Sequence, residues 1–308
     1  MGGSELLQRD IRRDIPHSGE GKTLKGQQRL SRSAVRHKII IPMERWAGKV
    51  ALVTGASVGI GADVTRALAE NGMKVIAVAR RLENLQQLAE SLKRKCKAEV
   101  YPMQCDVRQE KDILKVFQWA EKELGGVDVL INNAGVLSTQ SIIEGSTDEY
   151  HKILDVNVIA AAICSRQLAQ SVKKRKASGH IININSIAGH YASNMVMPMS
   201  VYCASKYAIT GMTETLRTEL RAAQIDVIVT SISPGAVKTD MILEIFPDAE
   251  KHLPMLHDKD IADAVIYCLQ VPPRVQIWEI TLAPNNWGLS DSALAGSKLS
   301  QKPDKIKK

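Results

Sequence analysis

The chain has 308 residues, of which 44% are apolar, 24% are charged and only 4% are aromatic. This composition is typical of a protein with a hydrophobic core, and it excludes a disordered chain, a collagen-like repeat and a disulfide scaffold. The five cysteines show no CxxC spacing and the seven histidines no HExxH motif, so neither structural disulfides nor a zinc site is predicted.

The net charge of +8 is concentrated at the two ends of the chain. Residues 1–42 carry nine Lys or Arg against four Asp or Glu, and residues 295–308 carry five Lys against one Asp, so the body between them is nearly neutral. Basic tails with few aromatic residues do not predict binding of nucleic acid, because single-strand sites stack bases on aromatic side chains. With no run of 18 apolar residues and no secretory signal, we expect a cytoplasmic protein without a transmembrane segment.

The N-terminal segment leaves several interpretations open. Leu7, Ile11 and Ile15 lie at helical spacing, which is compatible with a surface helix or a mitochondrial presequence, although four acidic residues speak against the latter. A flexible extension, or a working start at Met43, is favoured over a presequence. We therefore predict a basic, flexible extension over residues 1–42, one folded domain over residues 43–290 and a basic tail over residues 291–308.

From residue 49 onward, short apolar runs alternate with amphipathic segments. This alternation predicts a parallel sheet covered by helices on both faces, with right-handed crossovers. The predicted strands span residues 50–54, 75–79, 100–105, 129–132, 180–185, 227–231 and 276–282. The predicted helices span residues 60–71, 82–95, 109–124, 148–176, 203–223 and 259–270. No second core and no internal repeat is indicated.

A glycine-rich turn, TGASVGIG, directly follows the first predicted strand and opens a helix. Glycines at such a turn let the backbone approach a pyrophosphate, whose charge is stabilised by the free N–H groups of the helix N-terminus. The predicted binding residues are Gly55, Ser57, Gly59, Ile60 and Gly61. The spacing is GxxxGxG, and the alternative is a tight strand–helix turn without a ligand.

The end of the second strand discriminates between dinucleotides. An acidic residue there would bind the 2′-hydroxyl of the adenosine ribose, but the sequence has Arg80 and Arg81 instead. A guanidinium pairs bidentately with phosphate oxygens, so this pair favours the 2′-phosphate of NADP, and Ser57 can add a donor. The alternative is an ordinary pair of surface arginines.

Two residues whose side chains can take part in acid–base chemistry lie four positions apart in the helical segment YCASKYAITGMTETLRTEL. This spacing places Tyr202 and Lys206 on one face, about one turn apart. An unperturbed tyrosine is a poor base at neutral pH, and an adjacent ammonium is expected to lower the pKa of its phenol. By itself a YxxxK pair is a weak signal, because such pairs arise on helices by chance.

Two further polar residues strengthen this signal. Ser186 follows the apolar strand HIINI at the carboxyl edge, where its hydroxyl can hold a substrate oxygen; such a serine is also a common turn former. Asn157 lies among apolar helical neighbours, which is compatible with a capping or kinking asparagine or with a proton relay to Lys206.

Six motifs, TGASVGIG, NNAG, DVNV, INS, YCASK and SPGAVKT, occur in the order typical of the short-chain dehydrogenases/reductases, which the chain resembles over residues 46–282. The resemblance implies a single α/β domain, a doubly wound Rossmann-type fold with a seven-stranded parallel sheet. It also implies a catalytic tetrad and further cofactor-binding residues: Asn157, Ser186, Tyr202 and Lys206 in the tetrad, Asp106 and Val107 at the adenine, Asn133, Ala134 and Gly135 beside the ribose, and Pro234, Gly235, Val237 and Thr239 at the nicotinamide.

The same resemblance implies a metal-free, NADP-dependent oxidoreductase acting on a lipophilic alcohol, such as a farnesol-like isoprenoid, or its carbonyl. The Met- and Ile-rich segments 190–201 and 240–257 predict apolar substrate walls. A broad carbonyl or 17-beta/3-keto-steroid reductase, and a non-catalytic NADP-binding sensor or scaffold, are the alternatives.

Ser186 and Tyr202 are separated by 16 positions, a few more than is usual in the family, so the loop between them is the least predictable part. Apolar faces on residues 148–176 and 203–223 predict a homodimer or homotetramer.

Overall fold

A computed structural model describes residues 43–195 and 199–285 of the chain. The predicted N-terminal extension and C-terminal tail lie outside these residues. The described part forms one sheet of seven parallel strands in the order β3-β2-β1-β4-β5-β6-β7. The strands are β1 (Val50–Thr54), β2 (Lys74–Ala79), β3 (Val100–Gln104), β4 (Val129–Asn132), β5 (Gly179–Ile184), β6 (Val227–Pro234) and β7 (Glu279–Leu282). All seven predicted strands are present, with small differences at their ends.

Helices connect the strands and cover both faces of the sheet. They are α1 (Gly59–Glu70), α2 (Leu82–Cys96), α3 (Glu110–Leu124), α4 (Thr147–Leu154), α5 (Ala160–Arg175), α6 (Ser200–Ala222), α7 (Asp240–Ile245), α8 (Ala249–His252) and α9 (Asp258–Gln270). The helix predicted over residues 148–176 is present as one helical run over residues 147–175, with a π-helical turn, Asp155–Ile159, between α4 and α5. The short helices α7 and α8 carry too little periodicity to be predicted.

Alternate residues of each strand enter two separate cores. Val53 of β1 packs with Leu68 of α1 and Val265 of α9 on one face, whereas Leu52 packs with Leu168 of α5 and Phe117 of α3 on the other. The chain winds outward from β1 to β3 and then returns to β4 on the opposite side of β1. This reversal leaves a crevice at the carboxyl ends of β1 and β4, the usual ligand site of doubly wound sheets.

The apolar face predicted for self-association is mostly used inside the chain. Ile153 and Val156 are buried, and Ile163 packs against the second core. Ile159, in contrast, is 50% exposed, and the adjoining Leu154 is 38% exposed. Among the described residues, no helix is both long and apolar enough to cross a membrane.

The segment that precedes β1 is part of the folded body. A single 3-10 turn, Glu44–Trp46, packs Trp46 into the core, where the indole Nε1 donates a hydrogen bond of 2.9 Å to the carbonyl of Leu269 at the end of α9. Arg45 donates to the same carbonyl from its guanidinium. The start of the described fold is thereby joined to the end of α9.

Replacement of Trp46 by alanine should lower the free energy of unfolding by about 3–5 kcal/mol, because it removes a buried indole and leaves the Leu269 carbonyl without this donor. Urea titration monitored by circular dichroism measures the change. Trp278→Ala is the matched control, since Trp278 is 65% exposed and its main contact is a stacked arginine. Equal losses in the two variants would contradict a structural role for the Glu44–Trp46 turn.

Candidate active site

A cleft of about 580 Å³ opens at the carboxyl edge of the sheet. Every predicted site residue lines this cleft except Asn157. The residues come from the ends of six strands and from α6, which are far apart in the chain but meet at one edge because the strands are parallel. The arrangement therefore brings the predicted binding residues and the predicted reactive residues into one site.

The glycine-rich turn has the backbone conformation that the sequence predicts. Gly55 and Gly59 have φ angles of +67° and +59°, a region that favours glycine. A Cβ atom on Gly61 would collide with the carbonyl oxygen of Gly55. At the start of α1, the N-cap residue Val58 makes no side-chain cap and the first turn holds no acidic residue. The first N–H groups of this helix thus have no side-chain cap, which fits a pyrophosphate. The Asp258 carboxylate lies nearby, with one oxygen 3.7 Å from where a Cβ atom of Gly59 would be.

The two arginines that follow β2 lie beside this turn. Both are exposed and both line the cleft, and the guanidinium of Arg81 donates a hydrogen bond of 3.3 Å to the Ser57 hydroxyl. At the corresponding end of β3, Gln104 donates to the Arg80 carbonyl at 3.0 Å. The two residues that directly follow β2 are both arginines, so neither is a carboxylate. This part of the cleft is suited to an anionic substituent.

Arg108 is a cleft residue that the sequence interpretation missed. Its guanidinium makes a two-pronged ion pair with the Asp106 carboxylate, with distances of 3.1 and 2.6 Å. The hydrogen bonds from Arg108 hold the pKa of Asp106 below its ordinary value. The sequence did carry a signal for Arg108: it is a third arginine near the carboxyl end of a strand, β3, which pairs with the strand that Arg80 and Arg81 follow. The carboxylate predicted to lie at the adenine is therefore already paired.

The NNAG segment joins the ends of β1 and β4. The Thr54 hydroxyl accepts hydrogen bonds of 3.0 Å from the backbone N–H groups of Asn133 and Ala134. The Asn133 side chain in turn donates to the carbonyls of Thr54 and Gly55, at 2.9 and 3.2 Å. Thr54 was not singled out from the sequence, because a threonine at the end of a strand is common.

Ser186, Tyr202 and Lys206 meet at the cleft. Ser186 lies two residues beyond β5 and caps the turn Ile187–Gly189, where its hydroxyl accepts a hydrogen bond of 3.1 Å from the N–H of Ala188. The Ser186 side chain is also close enough to the phenol of Tyr202 to act on the pKa of that phenol. The ammonium of Lys206 donates to the Ile184 carbonyl at 3.0 Å and lies 5.7 Å from the centre of the Tyr202 ring.

Asn157 lies behind the cleft wall, in the π-helical turn. Its side-chain oxygen accepts from the N–H of Val136 at 2.9 Å, and its amide donates to the carbonyl of Val136 and to the Ser205 hydroxyl, both at 3.0 Å. These contacts fix the backbone that follows NNAG against α6. They agree with the capping interpretation, and the relay role stays a prediction.

One of the two predicted substrate walls borders the cleft. Met241, Ile242 and Ile245 of α7 line it, together with Leu137, which the sequence interpretation missed. Within the described part of the segment 190–201, no residue lines the cleft. His190 instead binds Glu279 at 2.7 Å and Ser233 at 3.2 Å, so the start of this segment turns toward β6 and β7.

Residues 49–250 match the family model described as short chain dehydrogenase. The chain belongs to the short-chain dehydrogenase family. It is 46% identical over 244 residues to a farnesol dehydrogenase of Aedes aegypti, a match that covers 79% of this chain and 98% of the relative. It is 43% identical over 258 residues to the human dehydrogenase/reductase SDR family member 11, with 79% and 96% coverage. A metagenomic short-chain oxidoreductase solved in complex with NADP has a TM-score of 0.66 and 30% identity, covering 78% of this chain and 98% of that one.

Burial controls the titration of the reactive pair in this short-chain dehydrogenase. Loss of hydration raises the pKa of Tyr202 to about 12, although its hydrogen bond with Ser186 opposes the rise. Burial likewise lowers the pKa of Lys206 to about 8. Burial therefore decides the direction of the Tyr202 shift in the chain by itself. That the ammonium of Lys206 lowers the phenol pKa stays a prediction.

The depressed pKa of Lys206 predicts a pH-dependent stability. Between about pH 8 and its ordinary value of 10.5, the unfolded chain binds a proton that the native protein does not bind. Lys206 should therefore contribute a rise of the free energy of unfolding with pH through this window, by up to about 1.4 kcal/mol per pH unit. Burial raises the pKa values of Cys105, Cys164 and Cys268 from 9.0 to about 12, so these thiols contribute a fall from about pH 9, as Tyr202 does above pH 10. The contribution of Lys206 is therefore measured as the difference in slope between wild type and variant in urea titrations between pH 8 and pH 10.

Lys206→Met should lack this contribution and show a lower slope than the wild type, while Lys111→Met, at an exposed position, should keep the wild-type slope. If all three proteins show the same slope, Lys206 does not titrate in the window assigned to it.

Proposed function

We propose that this protein is an NADP-dependent oxidoreductase that interconverts a lipophilic alcohol, such as a farnesol-like isoprenoid, and the corresponding carbonyl. One observation carries the proposal: Ser186, Tyr202 and Lys206 line the same cleft as the glycine-rich turn and the two arginines that follow β2. A binding scaffold would need the turn and the arginines alone. A serine and a tyrosine beside a buried lysine suit proton transfer to a bound oxygen.

The residues present fit a phosphorylated dinucleotide. The uncapped start of α1 and its glycine-rich turn suit the pyrophosphate, and Arg80 and Arg81 with Ser57 suit the 2′-phosphate. By resemblance, Asp106 and Val107 would lie at the adenine. Asn133, Ala134 and Gly135 would lie beside the ribose, and Pro234, Gly235, Val237 and Thr239 at the nicotinamide. When bound, the nicotinamide donates or accepts the hydride. A related oxidoreductase that is 30% identical was solved in complex with NADP, which supports this choice.

The chain's own residues would handle the proton. The Ser186 hydroxyl would hold the substrate oxygen beside the phenol of Tyr202, which donates its proton in carbonyl reduction and takes one up in alcohol oxidation. With a pKa of about 12 in the chain by itself, the phenol is protonated at neutral pH, the form that donates. Lys206 would orient the bound ribose. Asn157 would connect the site to a proton relay through the backbone that it fixes.

Apolar side chains support the lipophilic substrate. Met241, Ile242 and Ile245 of α7 line the cleft, as does Leu137. Methionine and branched aliphatic side chains accommodate irregular apolar ligands and offer few hydrogen bonds to a sugar. The relative from Aedes aegypti is named a farnesol dehydrogenase, which supports an isoprenoid over a keto-steroid. A homodimer or homotetramer and a cytoplasmic location stay predictions; the exposed Leu154 and Ile159 support the former.

Oxidation of NADPH should be measured with farnesal, with a 17- or 3-keto-steroid and with small ketones, and reduction of NADP⁺ with farnesol. Farnesal and farnesol should be the better pair, and Tyr202→Phe should lower kcat by at least about 10²-fold, since a positioned acid or base contributes that much or more. NADPH binding, followed by the fluorescence of the nucleotide, should persist in this variant.

Near-normal turnover by Tyr202→Phe would contradict the assignment of Tyr202 as the general acid and base. A keto-steroid used better than farnesal would favour the steroid reductase, and binding of NADPH without turnover of any carbonyl would favour the sensor.

The two arginines that follow β2 should set the choice of nucleotide. Arg80→Ala combined with Arg81→Ala should reduce the preference for NADPH over NADH by about 10- to 100-fold, because charge-assisted bonds to the 2′-phosphate are lost. The measurement is kcat/KM with each nucleotide. Arg94→Ala, at an exposed position near the end of α2, is the matched control and should keep the wild-type ratio. An unchanged ratio in the double variant would place the 2′-phosphate elsewhere.

A further inference from the structure

We propose that Thr210 is a positioning residue that fixes Ser186 against Tyr202 and Lys206. The proposal deepens the function proposed above and rests on it for its effect on turnover. Thr210 lies on α6, one helical turn beyond Lys206 and two turns beyond Tyr202. It does not line the cleft, so any effect on the reaction must act through the residues that it holds.

The hydroxyl of Thr210 makes hydrogen bonds to one residue before Ser186 in the chain and to one residue after it. It accepts a hydrogen bond of 3.0 Å from the side-chain amide of Asn185, the residue immediately before Ser186. Its single proton lies between the carbonyl oxygens of Gly189, at 3.1 Å, and of Lys206, at 3.2 Å. One oxygen atom thus ties both ends of the turn that carries Ser186 to the helix that carries Tyr202 and Lys206.

Close backbone packing supports the same tie. A Cβ atom on Gly189 would lie 2.7 Å from the carbonyl oxygen of Lys206, so only a glycine lets this turn approach α6 as it does. On the other side, the N–H of Asn185 donates to the Ile232 carbonyl of β6 at 2.7 Å. The turn is therefore held between the sheet and α6, and the Thr210 hydroxyl supplies its polar contact with the helix.

The length of the connection makes such a tie necessary. Ser186 and Tyr202 are separated by 16 positions, and a connection of that length does not by itself specify the separation of two side chains. Proton transfer requires the donor and acceptor atoms to be placed within a fraction of an ångström. Because the Thr210 bonds reach no further than Gly189, they set the geometry independently of the segment that follows.

A second tie lies further along the same segment. The phenol of Tyr207 donates to the His190 carbonyl at 2.7 Å. This bond holds only a residue that follows Ser186, whereas the Thr210 hydroxyl holds one residue before Ser186 and one after it. Tyr207→Phe should therefore be milder than a variant that lacks the Thr210 hydroxyl.

Thr210→Val keeps the side-chain shape but removes the hydroxyl, and we expect kcat for carbonyl reduction to fall by about tenfold while KM for NADPH stays within about twofold. Thr210→Ser restores the hydroxyl and should recover most of the lost kcat. Thr215→Val is the matched control, because the Thr215 hydroxyl on the same helix bonds only to the helix backbone, at the carbonyls of Gly211 and Met212. It should behave as the wild type.

Hydrogen exchange followed by mass spectrometry reports on the turn independently of activity. The N–H groups of Gly189 and His190, bonded to Ser186 and Ile187 within the turn, should exchange about tenfold faster in Thr210→Val, while peptides from the middle of α6 stay protected. If Thr210→Val does not fold, Asn185→Ala removes only the bond before Ser186 and must lower kcat in the same way.

Wild-type kcat in Thr210→Val or in Asn185→Ala, or no recovery in Thr210→Ser, overturns the proposal. If the wild type turns over no carbonyl, the proposed function fails, and unchanged exchange in Thr210→Val then overturns the positioning role separately.

Discussion

Hydrogen bonds between the ends of β1 and β4 fix the relative position of the two segments that follow these strands and line the cleft. The two strands are neighbours at the place where the winding of the sheet reverses, so the turns that follow them diverge to opposite faces. Four hydrogen bonds cross this divergence. The Thr54 hydroxyl accepts from the N–H groups of Asn133 and Ala134, and the Asn133 side-chain amide donates to the carbonyls of Thr54 and Gly55. The glycine-rich turn and the NNAG segment are consequently fixed relative to each other, and the cleft between them has a defined floor.

The chemistry of the site follows from burial in that cleft. Removal of water makes the phenolate of Tyr202 and the ammonium of Lys206 both costly, which moves their pKa values apart, to about 12 and about 8. The chain alone therefore favours a neutral phenol. Charge that accompanies a bound ligand, and the hydrogen bond from Ser186, are the means by which the balance between phenol and phenolate can change.

Local patterns predicted much of this protein because they reflect local physics. Apolar runs predicted the strands, and the glycine spacing predicted the turn with positive φ angles at Gly55 and Gly59. The π-helical turn at Asn157 was missed, since the periodicity of α4 continues into α5 while the side-chain bonds of Asn157 to Val136 and Ser205 involve residues distant in the chain. The pairing of Asp106 with Arg108 was missed for another reason: two-residue spacing does not predict a bond in irregular backbone.

The sequence by itself determined the fold class, the order of the strands along the chain and the chemical identity of the reactive side chains. Hydrophobic periodicity and residue type are properties of short stretches of chain, so they do not depend on contacts between distant segments. Tertiary structure decided which side chains touch. The two-sided tie from Thr210 to the residues around Ser186, and the direction of the pKa shift of Tyr202, depend on contacts between distant segments and on the exclusion of water, and neither quantity is encoded in the spacing of residues along the chain.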